Sequence, residues 1–203
     1  MAAQKPPVSS EDAQLERMRH STAHLMAAAV AALWPEAKFG VGPAIKHGFY
    51  YDILLPVPLG PPELQKIEKK MRELRNKKLA YVRRELPIDE AIAEMQQRNQ
   101  TFKVELLALL KERGSTAVAK ETGDESVVAD GEGSAAATTV SFYQTGEFVD
   151  LCRGPHVNTT TEIGAFKLTT VAGAYWRGDE RNPQLQRVYG LAFATQEELD
   201  HHL

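Results

Sequence analysis

Two pairs of chemically versatile side chains, each with its members four residues apart, constrain this chain more than any other feature: His20 with His24, and Cys152 with His156. Residues four apart on a helix project from one face, and the first pair lies in a stretch with helical periodicity. Leu15, Met18, Thr22, Leu25, Ala29 and Leu33 recur at three- and four-residue steps, which predicts a helix over residues 11–33. Ser9 or Ser10 offers an N-cap, and Glu11 and Asp12 complement the helix dipole in the first turn. His20, His24, Ala27 and Ala31 form a stripe separate from the leucines, with alanines small enough to let another element approach the histidines. One His pair is a weak signal. A fold that brings both pairs together has four convergent polar ligands, and that is a strong one.

Two chemistries fit such a quartet. His20, His24, Cys152 and His156 suit zinc by type and number, closing a structural site if all four bind and leaving catalytic chemistry only if one position opens. The metal-free alternative uses a histidine as general base on a water, with a second charged group stabilising the oxyanion. Asp150 lies two residues before Cys152, shares its strand face, and can orient a histidine or hold an amine. Cys152 is the chain's single cysteine, which rules out an internal disulfide. Most lone cysteines are small core residues; the neighbours Asp150, Arg153 and His156 favour a site here.

The remainder reads as a globular α+β domain of antiparallel strands with packed helices. A composition of 43% hydrophobic and 25% charged residues is ordinary for that class. No apolar run approaches the roughly 20 residues of a membrane span, and the start lacks a secretory h-region, so a cytoplasmic, membrane-free protein is expected. Residues 1–10 read as a disordered tail, and residues 11–203 as the domain. Strands are expected over 38–42, 48–53, 80–86, 166–171 and 185–194, and a hairpin over 140–144 and 147–152. Helices are expected over 63–78, over 89–98 with Asp89 as cap, and over 104–113. Thr195 and Glu198 form a capping box for a last helix. Residues 114–139, rich in Gly, Ser, Thr, Ala and acids, read as a flexible insertion. The first helix and the Cys152 segment should face each other across a cleft. His47, His201 and His202 read as surface, and Trp34 and Trp176 as packing residues.

The net charge of -3 argues against indiscriminate nucleic-acid binding. Residues 66–84 nevertheless hold nine basic residues, Lys69, Lys70 and Arg72 among them, against two acidic ones. Such a run is either a solvated helix face or a phosphate-contacting patch. Lys103, beside Phe102 at the start of a helix, would ordinarily be solvated surface.

Five blocks, taken together, resemble a known family: Arg19-His-Ser-Thr-Ala-His-Leu25, Gly48-Phe-Tyr-Tyr-Asp52, Val149-Asp-Leu-Cys-Arg-Gly-Pro-His-Val157, Ala172-Gly-Ala-Tyr-Trp-Arg-Gly-Asp179 and Leu185-Gln-Arg-Val-Tyr-Gly190. In this order they resemble the editing domain of bacterial-type threonyl-tRNA synthetase, which is related to alanyl-tRNA editing domains. The resemblance runs from about Leu15 to Leu203. It implies hydrolysis of the ester that joins a wrongly attached serine to the 3′ end of tRNA(Thr). It also implies an editing site made of His20, His24, Cys152 and His156, with Lys103 as a catalytic residue and with Tyr51 and Asp150 lining the substrate pocket. His20 or His24 would activate water, Lys103 would meet the developing negative charge, Asp150 would hold the substrate amine, and Tyr51 and Cys152 would shape the side-chain pocket. In alanyl-type relatives the quartet is associated with zinc, whereas the threonyl type implies no required metal. Lys69, Lys70, Arg72 and Arg153 are the expected tRNA contacts, and backbone near Gly40, Gly42 and Gly154 the expected hold on the terminal adenosine. The synthetase's aminoacylating, anticodon-binding and small N-terminal domains have no counterpart here, and residues 114–139 look longer than the family's. The chain is therefore expected to be either a freestanding trans-editing protein, with a separate synthetase as partner, or an excised fragment; Met1 and the short tail favour the former. The alternatives are a non-catalytic tRNA-binding module with a structural metal, and a deacylase for another mischarged tRNA.

Overall fold

The computed structural model describes residues 10–123 and 137–203. Helix α1 (Ser10–Leu33) is the axis of the molecule. From Met18 to Val30 nearly every residue is buried, as expected of a helix enclosed on all sides. Its small side chains at Ala23, Ala27, Ala28 and Ala29 allow that enclosure. Strands β1 (Lys38–Phe39), β2 (Ala44–Ile45) and β3 (Gly48–Leu54) follow, then helix α2 (Pro61–Asn76) and strand β4 (Tyr81–Pro87). Helices α3 (Ile88–Gln97) and α4 (Thr101–Thr122) lead to strands β5 (Thr139–Thr145) and β6 (Phe148–Leu151). Strands β7 (Ala165–Tyr175) and β8 (Gln184–Phe193) and helix α5 (Gln196–His202) complete the chain.

Among the described residues, all strand pairing is antiparallel. One sheet runs β1-β3-β8-β7, with β2 also on β3, and the other runs β4-β5-β6. α1 and α2 pack on the larger sheet through Phe49, Tyr51, Ile53 and Val188. α3 and α4 pack on the smaller one through Phe142, Val149 and Leu151. The α+β class with antiparallel sheets is as expected. α1 also touches β5 and β6, so the helix carrying His20 and His24 meets the strand that delivers Asp150 and leads to Cys152.

Several boundaries differ from the sequence reading for physical reasons. The strand expected over 38–42 shortens to two residues. Gly40 N–H then donates to Asp52 O at 2.8 Å, and Asp52 N–H to Val41 O at 2.9 Å, so the chain follows β3 irregularly. That course lets the backbone lie on Tyr51, where a Cβ at Gly42 would sit 2.1 Å from the ring. Asp89 is no cap: it lies in the first turn of α3 and pairs with Lys111 at 2.6 Å. The insertion expected over 114–139 is corrected in its first third. Gly114 breaks the helix geometry (φ 75°, ψ −179°), but helix resumes behind it to Thr122. Val118 is buried there, and Glu121 pairs with Arg113 and Arg177. Residues 124–136 of that insertion, and residues 1–9 of the expected tail, lie outside the described residues. Among the described residues, no helix is long and apolar enough to cross a membrane.

Candidate active site

Helical spacing stacks His20 over His24 on α1, and the turn after β6 carries Cys152 and His156 against them. All four are buried. The Cys152 sulfur lies 3.5 Å from His20 Nε2 and 3.3 Å from His156 Nε2, and it accepts the Gly154 N–H at 3.2 Å. The His20 and His156 rings stack with centroids 4.2 Å apart, and His24 meets His156 edge-on at 4.3 Å. Tyr81 stacks on His156 at 5.1 Å, while Tyr143 meets it edge-on at 4.4 Å.

The quartet's four donor atoms lie within 4.8 Å of one another. Tetrahedral zinc, with bonds of about 2.0–2.1 Å to nitrogen and about 2.3 Å to sulfur, places neighbouring donors roughly 3.3–3.6 Å apart. The two nitrogen–sulfur separations fall at that spacing, so the residues fit zinc in type, number and span. With all four bound such a site would be closed.

Beside the quartet lies a buried charged group assembled from three elements. Lys103, on the first turn of α4, places Nζ 2.8 Å from Asp150 Oδ1 of β6, both residues being 2% exposed. Tyr51 of β3 donates its hydroxyl to Asp150 Oδ2 and receives a hydrogen bond from Lys103 at 3.3 Å. His24 Nε2 stands 3.6 Å from Asp150 Oδ2, linking the two groups. A carboxylate this deep is costly unless paired, and Lys103 and Tyr51 satisfy both oxygens.

Burial drives the His24 imidazole well below its ordinary pKa of 6.5, aided by His20 and Lys103. His156 is likewise lowered by burial, with His24 and His20 adding to the effect. Both rings are therefore uncharged at neutral pH, the form that accepts a proton or binds a metal.

His20 lines a cleft of about 440 Å³ together with Arg17, Pro43, Gly123, Arg153 and Pro155. Arg153 is thus at the cleft mouth. The other expected tRNA contacts are elsewhere on α2: Lys69 is exposed, Lys70 pairs with Glu73 at 3.2 Å, and Arg72 pairs with Glu68 at 3.0 Å. Lys70 instead borders a larger cleft of about 620 Å³, floored by Ala28, Ala31 and Ala32 further along α1. Phe39 and Phe148 line that cleft and also approach Tyr51 and His24, so they form the wall towards the site. The backbone expected to hold an adenosine is partly engaged already, with Gly40 N–H on Asp52 and Gly154 N–H on Cys152.

The sequence reading missed Ser21, Tyr81 and Tyr143, which surround His156. Its one available clue was polar Ser21 and Thr22 lying between the two histidines, just before the apolar run that starts at Leu25; both are fully buried.

Residues 140–189 match the family described as the threonyl and alanyl tRNA synthetase second additional domain. The chain is 49% identical over 189 residues to a threonine–tRNA ligase of Citrifermentans bemidjiense, covering 93% of this chain and 26% of that protein. It is 47% identical over 189 residues to the Dehalococcoides mccartyi ligase, covering 93% and 28% respectively. For the Gloeobacter violaceus ligase the figure is 43% over 196 residues, covering 96% and 27%. The chain thus spans about a quarter of the length of the curated relatives it matches. On these matches residues 140–189 carry the threonyl and alanyl tRNA synthetase second additional domain, and the chain as a whole is similar to the corresponding stretch of threonine–tRNA ligases.

Proposed function

We propose that this domain is an aminoacyl-tRNA deacylase that hydrolyses the ester between serine and the 3′ end of tRNA(Thr). One observation carries the reading: uncharged imidazoles lie against a buried Lys103–Asp150 ion pair, with His20 reaching a cleft. Ester hydrolysis needs a base for water and a positive group for the oxyanion. His20, nearest the cleft, takes the proton of the attacking water. The Pro155 carbonyl, 3.3 Å from His20 Nδ1, orients that ring. Lys103 meets the negative charge that develops on the carbonyl oxygen. As the ester bond breaks, the imidazolium returns its proton to the ribose oxygen, releasing serine and an intact tRNA end.

Asp150 holds the substrate ammonium through lone pairs left beside Lys103 and Tyr51, since a carboxylate offers about four acceptor positions. Tyr51 and Cys152 bound the side-chain pocket. The need for such a site is energetic: a single methyl group separates serine from threonine and discriminates by only about 1–3 kcal/mol, so synthetases of this kind use a second, hydrolytic sieve. Zinc held by His20, His24, Cys152 and His156 would polarise a carbonyl or lower the pKa of a bound water; the reading does not require it. The tRNA(Thr) acceptor end is the proposed partner, with Arg153 at the cleft mouth.

The test is deacylation of seryl-tRNA(Thr) and threonyl-tRNA(Thr) by the intact chain, by His20→Ala and by Lys103→Ala, each with and without a chelator. Loss of serine alone, abolished in both variants and indifferent to chelator, is expected. Stable seryl-tRNA in the presence of intact protein, together with one tightly bound metal per chain, would replace the reading with a tRNA-binding module.

A further inference from the structure

Ser21 has no role in the deacylase reading, yet its side chain is among the most constrained near the site. It is fully buried, and its Oγ lies 2.9 Å from Arg17 O, 2.9 Å from His156 Nδ1 and 3.0 Å from Val157 N. A hydroxyl has one proton and two lone pairs. The Val157 N–H can only donate, and the Arg17 carbonyl can only accept. All three contacts are made together in one way: the Ser21 proton goes to Arg17, and Oγ accepts from both Val157 and His156. The reverse assignment would leave Oγ facing the Arg17 carbonyl at hydrogen-bond distance with no proton between two oxygens. His156 therefore carries its proton on Nδ1, and its Nε2, 3.3 Å from the Cys152 sulfur, presents a lone pair.

His20 approaches the same sulfur from α1: its Nδ1 stands 3.3 Å from the Pro155 carbonyl, which can only accept, and its Nε2 lies 3.5 Å from the sulfur. The Gly154 N–H already donates to that sulfur at 3.2 Å. The Cys152 thiol proton thus has the His156 Nε2 lone pair to go to. The Tyr81 hydroxyl, donating to Ser21 O at 2.7 Å while its ring stacks on His156, braces serine and imidazole together.

We infer that Ser21 is a positioning residue that locks His156 as the Nδ1–H tautomer, so that its Nε2 is an acceptor at the Cys152 end of the site. An acceptor there takes a hydrogen bond from a thiol, a water or a hydroxyl, or binds a cation, and turns away a carboxylate. The consequence for turnover rests on the deacylase reading; the tautomer does not.

The experiment is long-range proton–nitrogen NMR on histidine-labelled, chelator-treated protein at neutral pH, with the His156 signals identified by their loss in His156→Gln. The intact chain should show a bare Nε2 and a protonated Nδ1. Ser21→Ala should move the proton to Nε2 or mix the two forms, and Ser21→Thr should restore the original. Tyr81→Phe, which removes a neighbouring hydrogen bond without touching the Ser21 hydroxyl, should leave the tautomer unchanged. Seryl-tRNA deacylation should fall about tenfold or more in Ser21→Ala, in kcat rather than KM, as for other residues that orient reacting groups through a neighbour. A proton on Nε2 in the intact chain overturns the inference, and so does a tautomer indifferent to Ser21→Ala. Should Ser21→Ala fail to fold, the intact spectrum alone still decides. An intact chain with the expected tautomer but no deacylation refutes the enzyme reading and leaves the role of Ser21 standing.

Discussion

His20, His24, Cys152 and His156 come from two short stretches and meet with the His24 and His156 rings uncharged, whereas Lys103, Asp150 and Tyr51 come from three separate elements and meet as an ion pair with a phenol. The two halves touch through His24 and Asp150 but obey different energetics. In the imidazole–thiol half the contacts are weak hydrogen bonds to one sulfur and ring-on-ring packing, so losing one member leaves a modest deficit. In the charged half each ion is buried only because the other is present, and losing one strands its partner.

The sharpest way to break that contrast is Lys103→Met. It leaves Asp150 buried without its cation and is expected to destabilise the chain by about 3–5 kcal/mol. His20→Ala should cost nearer 1–3 kcal/mol, the ordinary range for a core substitution. Replacing both ions with apolar groups, Lys103→Met with Asp150→Leu, should recover much of the stability and none of the deacylation. Urea unfolding measures all three, and equal losses for Lys103→Met and His20→Ala would erase the distinction between the halves.

Gly154→Ala perturbs the other half from its backbone. Gly154 has φ +82°, and an added Cβ would lie 2.6 Å from the Tyr143 hydroxyl, which packs beside His156. Strain of that kind costs on the order of 1–3 kcal/mol, and it should displace the turn that aims Cys152 and His156. Expected readouts are a lower melting temperature and slower seryl-tRNA deacylation, with the Lys103–Asp150 pair intact. An unchanged melting temperature would mean that the turn is held by something other than its glycine.

Titration separates the halves more gently. The folded pKa values of His24 and His156 lie below the ordinary 6.5, so below that pH the unfolded chain binds protons that the folded chain refuses. Stability is therefore complete above pH 6.5 and falls as the pH drops further, by up to about 1.4 kcal/mol per pH unit for each ring. His156→Gln should flatten the slope of unfolding free energy between pH 7 and 5 relative to the intact chain. An unchanged slope would show that His156 titrates normally in the fold.

The same contrast explains what could be read from the sequence. The quartet was legible because four-residue spacing is a local property, and so was α1, whose periodicity and acidic first turn lie within one segment. The charged half was not: nothing adjacent to Lys103 marks it as buried, and only the resemblance to editing domains singled it out. Ser21 escaped because its partners are the helix's own Arg17 carbonyl and a turn far along the chain. Residues 115–122 read as insertion because Gly114 and small polar residues mask a single buried apolar side chain, Val118. What fixes that helix, the Glu121–Arg177 pair, joins segments that no local pattern connects.

The smallest expected effect concerns which half faces the RNA. Arg153 is exposed at the cleft that reaches His20, while Lys69 projects from α2 on another part of the surface. Charge density alone favours the α2 cluster; access to the reacting groups favours Arg153. Each phosphate contact contributes about one unit to the dependence of log affinity on log salt concentration. Arg153→Ala should therefore lower that slope by about one for tRNA(Thr) while leaving single-turnover deacylation at saturating tRNA nearly unchanged. Lys69→Ala should change neither. If the loss appears in Lys69→Ala instead, the acceptor arm lies along α2, and the cleft at His20 admits only the terminal nucleotide and its amino acid.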